Sequence, residues 1–141
     1  MSRALAVAVL TCAACTIDNG AVPDAAPCAA NPDFFVSDVY PKYLVANQCG
    51  TGGCHDFDDG HGSLRLHAPE PTPPSPGLGL GDWPIGWREN YLSTIQLLRC
   101  DAPAQSRLLL VPEGISNLHP PGPVVLDRAA AAAMLQAWVA P

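Results

Sequence analysis

The sequence predicts a small all-α domain with long irregular loops. Three segments, beginning near residues 33, 88 and 128, place apolar side chains at helical spacing. Most of the 16 prolines and 12 glycines lie outside these segments and imply many turns between few regular elements. The 141 residues are enough for one such domain preceded by a targeting segment.

Residues 1–15 have the pattern of an export signal. Arg3 provides a positive start, and an apolar run that is too short to span a bilayer follows it. The run ends in Cys12-Ala13-Ala14-Cys15, which resembles the lipobox of bacterial lipoproteins and makes Cys15 the lipidated N-terminus. Cys12 stands where that motif prefers leucine, so the alternative is cleavage at a nearby site and plain secretion. Both predict an extracytoplasmic protein, anchored in the periplasm or at the outer membrane in the first case.

Residues 16–30 are rich in turn-forming residues and predict a flexible tether, so the domain is expected to cover residues 31–141. Asn31 is a suitable N-cap, with Pro32 at the first helical position. The helix that follows places Phe35, Val39 and Tyr43 on one face, and Pro41 is expected to kink or interrupt it.

Two further helices are predicted. The first runs from about Arg88 to Cys100, with an apolar face formed by Tyr91, Leu92, Ile95 and Leu98. The second begins after Asp127 as N-cap and runs from Arg128 to about Val139 through an alanine-rich stretch. The proline-rich residues 68–87 between these regions predict a surface excursion with no helix or strand.

The motif with the clearest chemistry is a cysteine pair that ends in Cys-His. Cys49 and Cys54 precede His55, and such a pair is the attachment signature of a c-type haem. Each thiol can add to a haem vinyl group, and the adjacent imidazole then lies beneath the iron as the proximal ligand. Four residues separate the cysteines instead of the usual two, and three of them are glycines that can loop out at little steric cost.

The remaining cysteines allow two accounts. If haem takes Cys49 and Cys54, then Cys28 and Cys100 remain to form one disulfide in an oxidising compartment. Without haem, the four cysteines permit three pairings, for instance Cys49 with Cys100 and Cys54 with Cys28. Counting thiols does not decide between the two accounts.

Several short motifs occur in the order found in one family. Phe35, Asp38-Val39 and Pro41 precede the Cys-His pair, and Leu64-Arg65-Leu66 follows it. Together with a His-Pro-Pro loop and a terminal tryptophan helix, they make residues 33–140 resemble the planctomycete-type cytochrome c domain, a branch of the class I cytochrome c fold. The resemblance implies a C-terminal helix that packs across the N-terminal one.

The family resemblance also suggests a distal iron ligand. In the family a loop carries Met-Pro-Pro, whose methionine binds the iron, whereas this chain has His119 followed by Pro120 and Pro121. An imidazole is an equally competent ligand and should lower the reduction potential. His61 and His67 are weaker candidates for the same role.

The resemblance therefore implies an electron-transfer lipoprotein with covalent haem c, held by Cys49, Cys54, His55 and His119. A six-coordinate iron leaves no open position for a substrate, so an enzyme is not expected, and the partners would be redox proteins. The net charge of -6 argues against a nucleic-acid partner, which needs a basic surface.

The cysteine motif is also compatible with two other kinds of protein. The first is a haem-free cytochrome-like domain, held together by disulfides and acting as a structural or binding module. The second is a zinc or copper site formed by Cys49, Cys54, His55 and His61, which have suitable ligand types. However, adjacent cysteine and histidine side chains rarely both reach one tetrahedral ion. No nucleophile motif supports hydrolysis, and Asp56, Asp58 and Asp59 lack the length and closing glutamate of a calcium loop.

Overall fold

The structure, a computed structural model, describes residues 29–50, 54–60, 62–68, 72–113 and 127–140. The regular elements within these ranges are helices, which agrees with the predicted all-α class, and the ranges contain no strand beyond an isolated parallel bridge between Asp56 and Leu66. The elements are α1 (Pro32–Phe34), a π-helical continuation (Phe35–Val45), α2 (Ile85–Ile95), α3 (Arg107–Leu110) and α4 (Arg128–Val139), with 3₁₀ turns at Leu80–Asp82 and Pro103–Gln105.

The first helix begins as predicted and leads toward the cysteine motif. Asn31 caps it, because its Oδ1 accepts a hydrogen bond of 3.2 Å from the Phe34 N–H. Pro41 does not interrupt the helix, which passes through it as a π-helix up to Val45. Proline lacks an N–H and its ring crowds the preceding turn, and the wider π-helical turn accommodates both effects.

Helix α2 differs from its prediction in extent and in orientation. It begins at Ile85 and ends at Ile95, so it starts within the segment expected to be irregular and stops before Cys100. Leu92, which was expected on the apolar face, is exposed. Two buried polar side chains, Asn90 and Thr94, share the inner face with tryptophan and tyrosine instead.

The C-terminal helix was predicted correctly and packs against the N-terminal one. The Asp127 carboxylate accepts a hydrogen bond of 2.9 Å from the Ala130 N–H, and α4 spans Arg128–Val139. The Trp138 indole N–H donates to the Asn31 carbonyl at 2.9 Å, while the Asn31 N–H donates to the Trp138 carbonyl at 3.0 Å. The two ends of the domain are therefore joined by paired hydrogen bonds as well as by apolar contact.

An aromatic cluster forms the centre of the core. The Phe35 ring lies 5.4 Å from Tyr91 and 5.7 Å from Trp138, centroid to centroid, so it touches both α2 and α4. Tyr40, Trp83 and Trp87 extend the cluster, and all of these side chains are buried. Aromatic residues make up only 6% of the chain, yet this part of the core is not short of large side chains.

The described residues begin just before the predicted domain boundary. Ala30, the last residue of the expected tether, is buried, and its carbonyl accepts a hydrogen bond of 2.8 Å from the Tyr91 hydroxyl. The domain therefore starts at or before Ala30. Within the described ranges, no helix has the length and apolar character needed to cross a membrane. The predicted signal segment, Cys15 and Cys28 lie outside the described residues.

Candidate functional site

The cysteine motif follows directly from the end of the π-helical segment. The Cys49 N–H donates to the Leu44 carbonyl at 2.9 Å, and Gln48 adopts a left-handed φ of 56° that turns the chain out of the helix. The His55 N–H then donates to the Cys49 carbonyl at 3.1 Å. This hydrogen bond joins the backbone of the first and last residues of the motif across the long spacing.

The two thiols of the motif have different surroundings. Cys49 is 8% exposed and belongs to the apolar core, whereas Cys54 is exposed. Burial, reinforced by the nearby Cys54 thiol, raises the pKa of Cys49 to about 11. Cys49 is therefore a protonated, unreactive thiol at neutral pH in the folded chain.

The disulfide state separates the motif cysteines from Cys100. Cys100 is disulfide-bonded, while Cys49 and Cys54 are both free thiols. The pairing of Cys49 with Cys100 and of Cys54 with Cys28 is therefore wrong, because Cys49 is a free thiol buried in the apolar core and Cys54 is a free thiol at the surface. The partner of Cys100 lies outside the described residues, so its pairing with Cys28 stays a prediction.

A glycine turn packs against the backbone of His55. A Cβ atom at Gly60 would lie 2.3 Å from the Asp56 carbonyl oxygen and 2.6 Å from the His55 carbonyl carbon, so this position requires glycine. Gly62 has a left-handed φ of 80°, and a Cβ atom there would lie 3.7 Å from Cε1 of the His55 ring. The imidazole of His55 is half-buried beneath this turn.

The acidic residues after His55 form a turn. The Asp56 carboxylate accepts hydrogen bonds from the N–H groups of Asp58 and Asp59 at 3.0 and 3.3 Å, while the side chains of Asp58 and Asp59 are exposed. Among the described residues, no group of three or more His, Cys, Asp or Glu side chains is arranged to share a metal ion. The described part of the proposed zinc or copper set thus does not assemble, and His61 lies outside the described residues.

His67 takes part in a contact with α2. Its Nε2 is hydrogen-bonded to the Glu89 carboxylate, and its ring stacks on Phe57 with centroids 3.6 Å apart. These contacts hold the imidazole against helix α2. His119, the predicted distal ligand, lies outside the described residues and stays a prediction.

The sequence did not predict the residues of α2 that contact the segment 65–67. Ser93 and Asn90 both hydrogen-bond the backbone of residues 65–67, and Asn90 is almost completely buried. The only signal in the sequence was a pair of polar residues one turn apart on a face that also carries aromatic side chains.

The comparisons with known proteins add no assignment, because no family model, curated protein or solved structure matches the chain.

Proposed function

We propose that this protein is an exported electron carrier with a covalently attached c-type haem. Cys49 and Cys54 would form the two thioether bonds, and His55 would be the proximal iron ligand. His119 would be the distal ligand, and Cys15 would carry the lipid that anchors the protein to a membrane. In this proposal the protein is an electron carrier, and its partners are redox proteins.

The observation that carries the proposal is the state of the cysteines. Two thioether bonds need two free thiols next to an imidazole, and Cys49 and Cys54 are both free while Cys100 is held in a disulfide. The backbone hydrogen bond from the His55 N–H to the Cys49 carbonyl keeps the backbones of these two residues together despite the long spacing. The donor set therefore fits a c-type haem.

The chemistry that the bound group would supply is one-electron exchange at the iron. The residues of the chain would hold it and limit its access to water. The Gly60 turn covers the backbone of His55, and Leu66 lies fully buried beside Gly50. Two nitrogen ligands would favour a lower reduction potential than a histidine–methionine pair.

A haem-free domain is the second candidate function. The observation that favours it is the closed core, in which Cys49 is packed among the chain's own apolar side chains. In that case the protein would act as a structural or binding module, and its disulfide at Cys100 would stabilise the fold.

The deciding experiment is to mature the full chain in a host with a c-type cytochrome assembly system. A denaturing gel stained for haem and a pyridine haemochrome spectrum then report covalent haem and the number of thioethers. We expect haem that survives denaturation, with the band position of two thioethers. A colourless protein with two free thiols would support the haem-free candidate and overturn the proposal.

A histidine pair provides the matched control. His55→Ala should abolish stable haem incorporation, whereas His67→Ala, which removes an imidazole from a neighbouring position held by Glu89, should retain it. An unchanged Soret band in His55→Ala would exclude the proximal role. The anchoring proposal is tested separately, because Cys15→Ser should release the protein from the membrane fraction.

A further inference from the structure

Residues 65–67 form an extended strip between His55 and helix α2. The Leu66 N–H donates to the His55 carbonyl at 2.7 Å, on one edge of the strip. On the opposite edge, the Arg65 N–H donates to the Ser93 hydroxyl and the His67 N–H donates to the Asn90 amide oxygen, both at 2.7 Å. Successive N–H groups of extended backbone point to opposite sides, so one strip can bridge the two elements.

Asn90 binds the strip in the manner of a paired strand. Its Oδ1 accepts from the His67 N–H, and its Nδ2 donates to the His67 carbonyl at 3.3 Å. The side chain is only 1% exposed, so the two hydrogen bonds form away from water. A buried amide that lost these partners would incur the full cost of its desolvation, which makes the contact hard to break without moving the strip.

The strip also holds the turn that covers His55. The Arg65 guanidinium donates to the Gly60 carbonyl and lies 3.4 Å from the Asp56 carbonyl oxygen. The His55 backbone is thus bonded to Cys49 on one side and to Leu66 on the other, and Leu66 is flanked by two residues bonded to α2. A displacement of the strip would therefore move the histidine that follows the second cysteine.

We propose that Asn90 and Ser93 are positioning residues for His55. This inference rests on the proposed function, because it gives the helix the task of fixing the proximal ligand through the 65–67 strip. Groups that orient a metal ligand commonly change metal affinity about 10- to 100-fold when they are removed. Neither residue belongs to the cysteine motif, and each bonds the backbone of the 65–67 strip, which in turn bonds the His55 carbonyl.

The first test uses the haem-free protein and NMR. Asn90→Asp keeps the size of the side chain but loses the Nδ2 donor, and Thr94→Val is the matched control. Thr94 is equally buried on the same helix, but its hydroxyl donates to the Asn90 carbonyl within α2. We expect Asn90→Asp to lower the hydrogen-exchange protection of the Leu66 amide about tenfold and to shift the His55 ring resonances. Thr94→Val should leave both unchanged.

The second test uses the haem-loaded protein. Asn90→Asp should shift the reduction potential and the electron paramagnetic resonance spectrum, whereas Thr94→Val should match the wild type. If Asn90→Asp does not fold, Ser93→Ala removes one acceptor from a half-buried position and replaces it in both tests. Unchanged His55 resonances, potential and spectrum would overturn the positioning role while leaving the haem proposal intact.

The two proposals can fail separately. If the wild-type protein carries no covalent haem, the proposed function fails, and the NMR comparison alone decides whether α2 positions His55. His55 resonances that move in Asn90→Asp and not in Thr94→Val would still support the positioning role. Resonances that stay in place in both variants would overturn it.

Discussion

The strongest prediction concerns the reactivity of Cys49 in the folded, haem-free chain. A rise of its pKa from 9.0 to about 11 lowers the fraction of thiolate about 100-fold at neutral pH. A thiolate of higher pKa is intrinsically more nucleophilic, and with a Brønsted coefficient of about 0.4–0.5 this offsets about tenfold of the loss. Protonation alone should therefore slow thiol–disulfide exchange about tenfold, and burial to 8% exposure should slow it further.

Two variants isolate the two thiols for the assay. Cys54→Ser leaves Cys49 as the free thiol of the motif, and Cys49→Ser leaves Cys54. An aromatic disulfide reagent that releases a coloured thiol then reports the reaction of one site at a time. We expect the Cys49 rate to rise at least about tenfold when the chain is unfolded in urea, after correction for the effect of urea on the reagent. The exposed Cys54 should show a much smaller increase.

A Cys49 rate that is similar in folded and unfolded protein would refute the reasoning, because it would mean that the thiol is neither buried nor held protonated. The expected outcome has a consequence for haem attachment. If haem is attached as we propose, the buried Cys49 thiol must first become accessible to the vinyl group.

Three further predictions test the packing around the cysteine motif and in the aromatic core. The folded-state pKa of Cys49 lies above its unfolded value, so about 2.7 kcal/mol of unfolding free energy is present below pH 9.0 and is lost as the pH rises through about 11. In urea unfolding, Cys49→Ala should lack this part of the loss of stability at alkaline pH. Gly60→Ala should lower the unfolding free energy by about 1–3 kcal/mol or more, because the added Cβ atom would collide with the backbone. Gly81→Ala, whose Cβ atom would meet nothing within 4 Å, should leave the thermal melting temperature nearly unchanged. Trp138→Ala should cost about 3–5 kcal/mol of unfolding free energy in urea titrations, whereas Gln136→Ala, at an exposed position of the same helix, should change it by less than about 0.5 kcal/mol. Equal effects of the two glycine variants, or of the two α4 variants, would contradict the packing described above.

Local signals in the sequence predicted the starts of the first and last helices well. Asn31 and Asp127 are N-caps whose side chains can satisfy free N–H groups with no help from the rest of the fold, and both do so. The path through Pro41 and the exposure of Leu92 were not predicted correctly. Both depend on which neighbouring elements press against the helix, and this information is distant in the sequence.

The candidate site shows the same division. The order of cysteine and histidine in the motif is legible from the sequence, because these residues lie within a few positions of one another. The burial of Cys49 and its raised pKa were not legible, since they arise from packing within the apolar core. The link from Asn90 to His55 crosses two loops and leaves no local pattern.

The sequence by itself determined the helical class, the two capped helix starts and the candidate motif, because each depends on residues within a few positions of one another. Only the tertiary structure decided which thiol is buried, which side of α2 faces inward and how His55 is held. Those properties come from contacts between segments that are far apart in the chain, such as Asn90 with His67 and Trp138 with Asn31. The energies of such contacts depend on what is excluded from water when the segments meet, and a single segment does not contain that information.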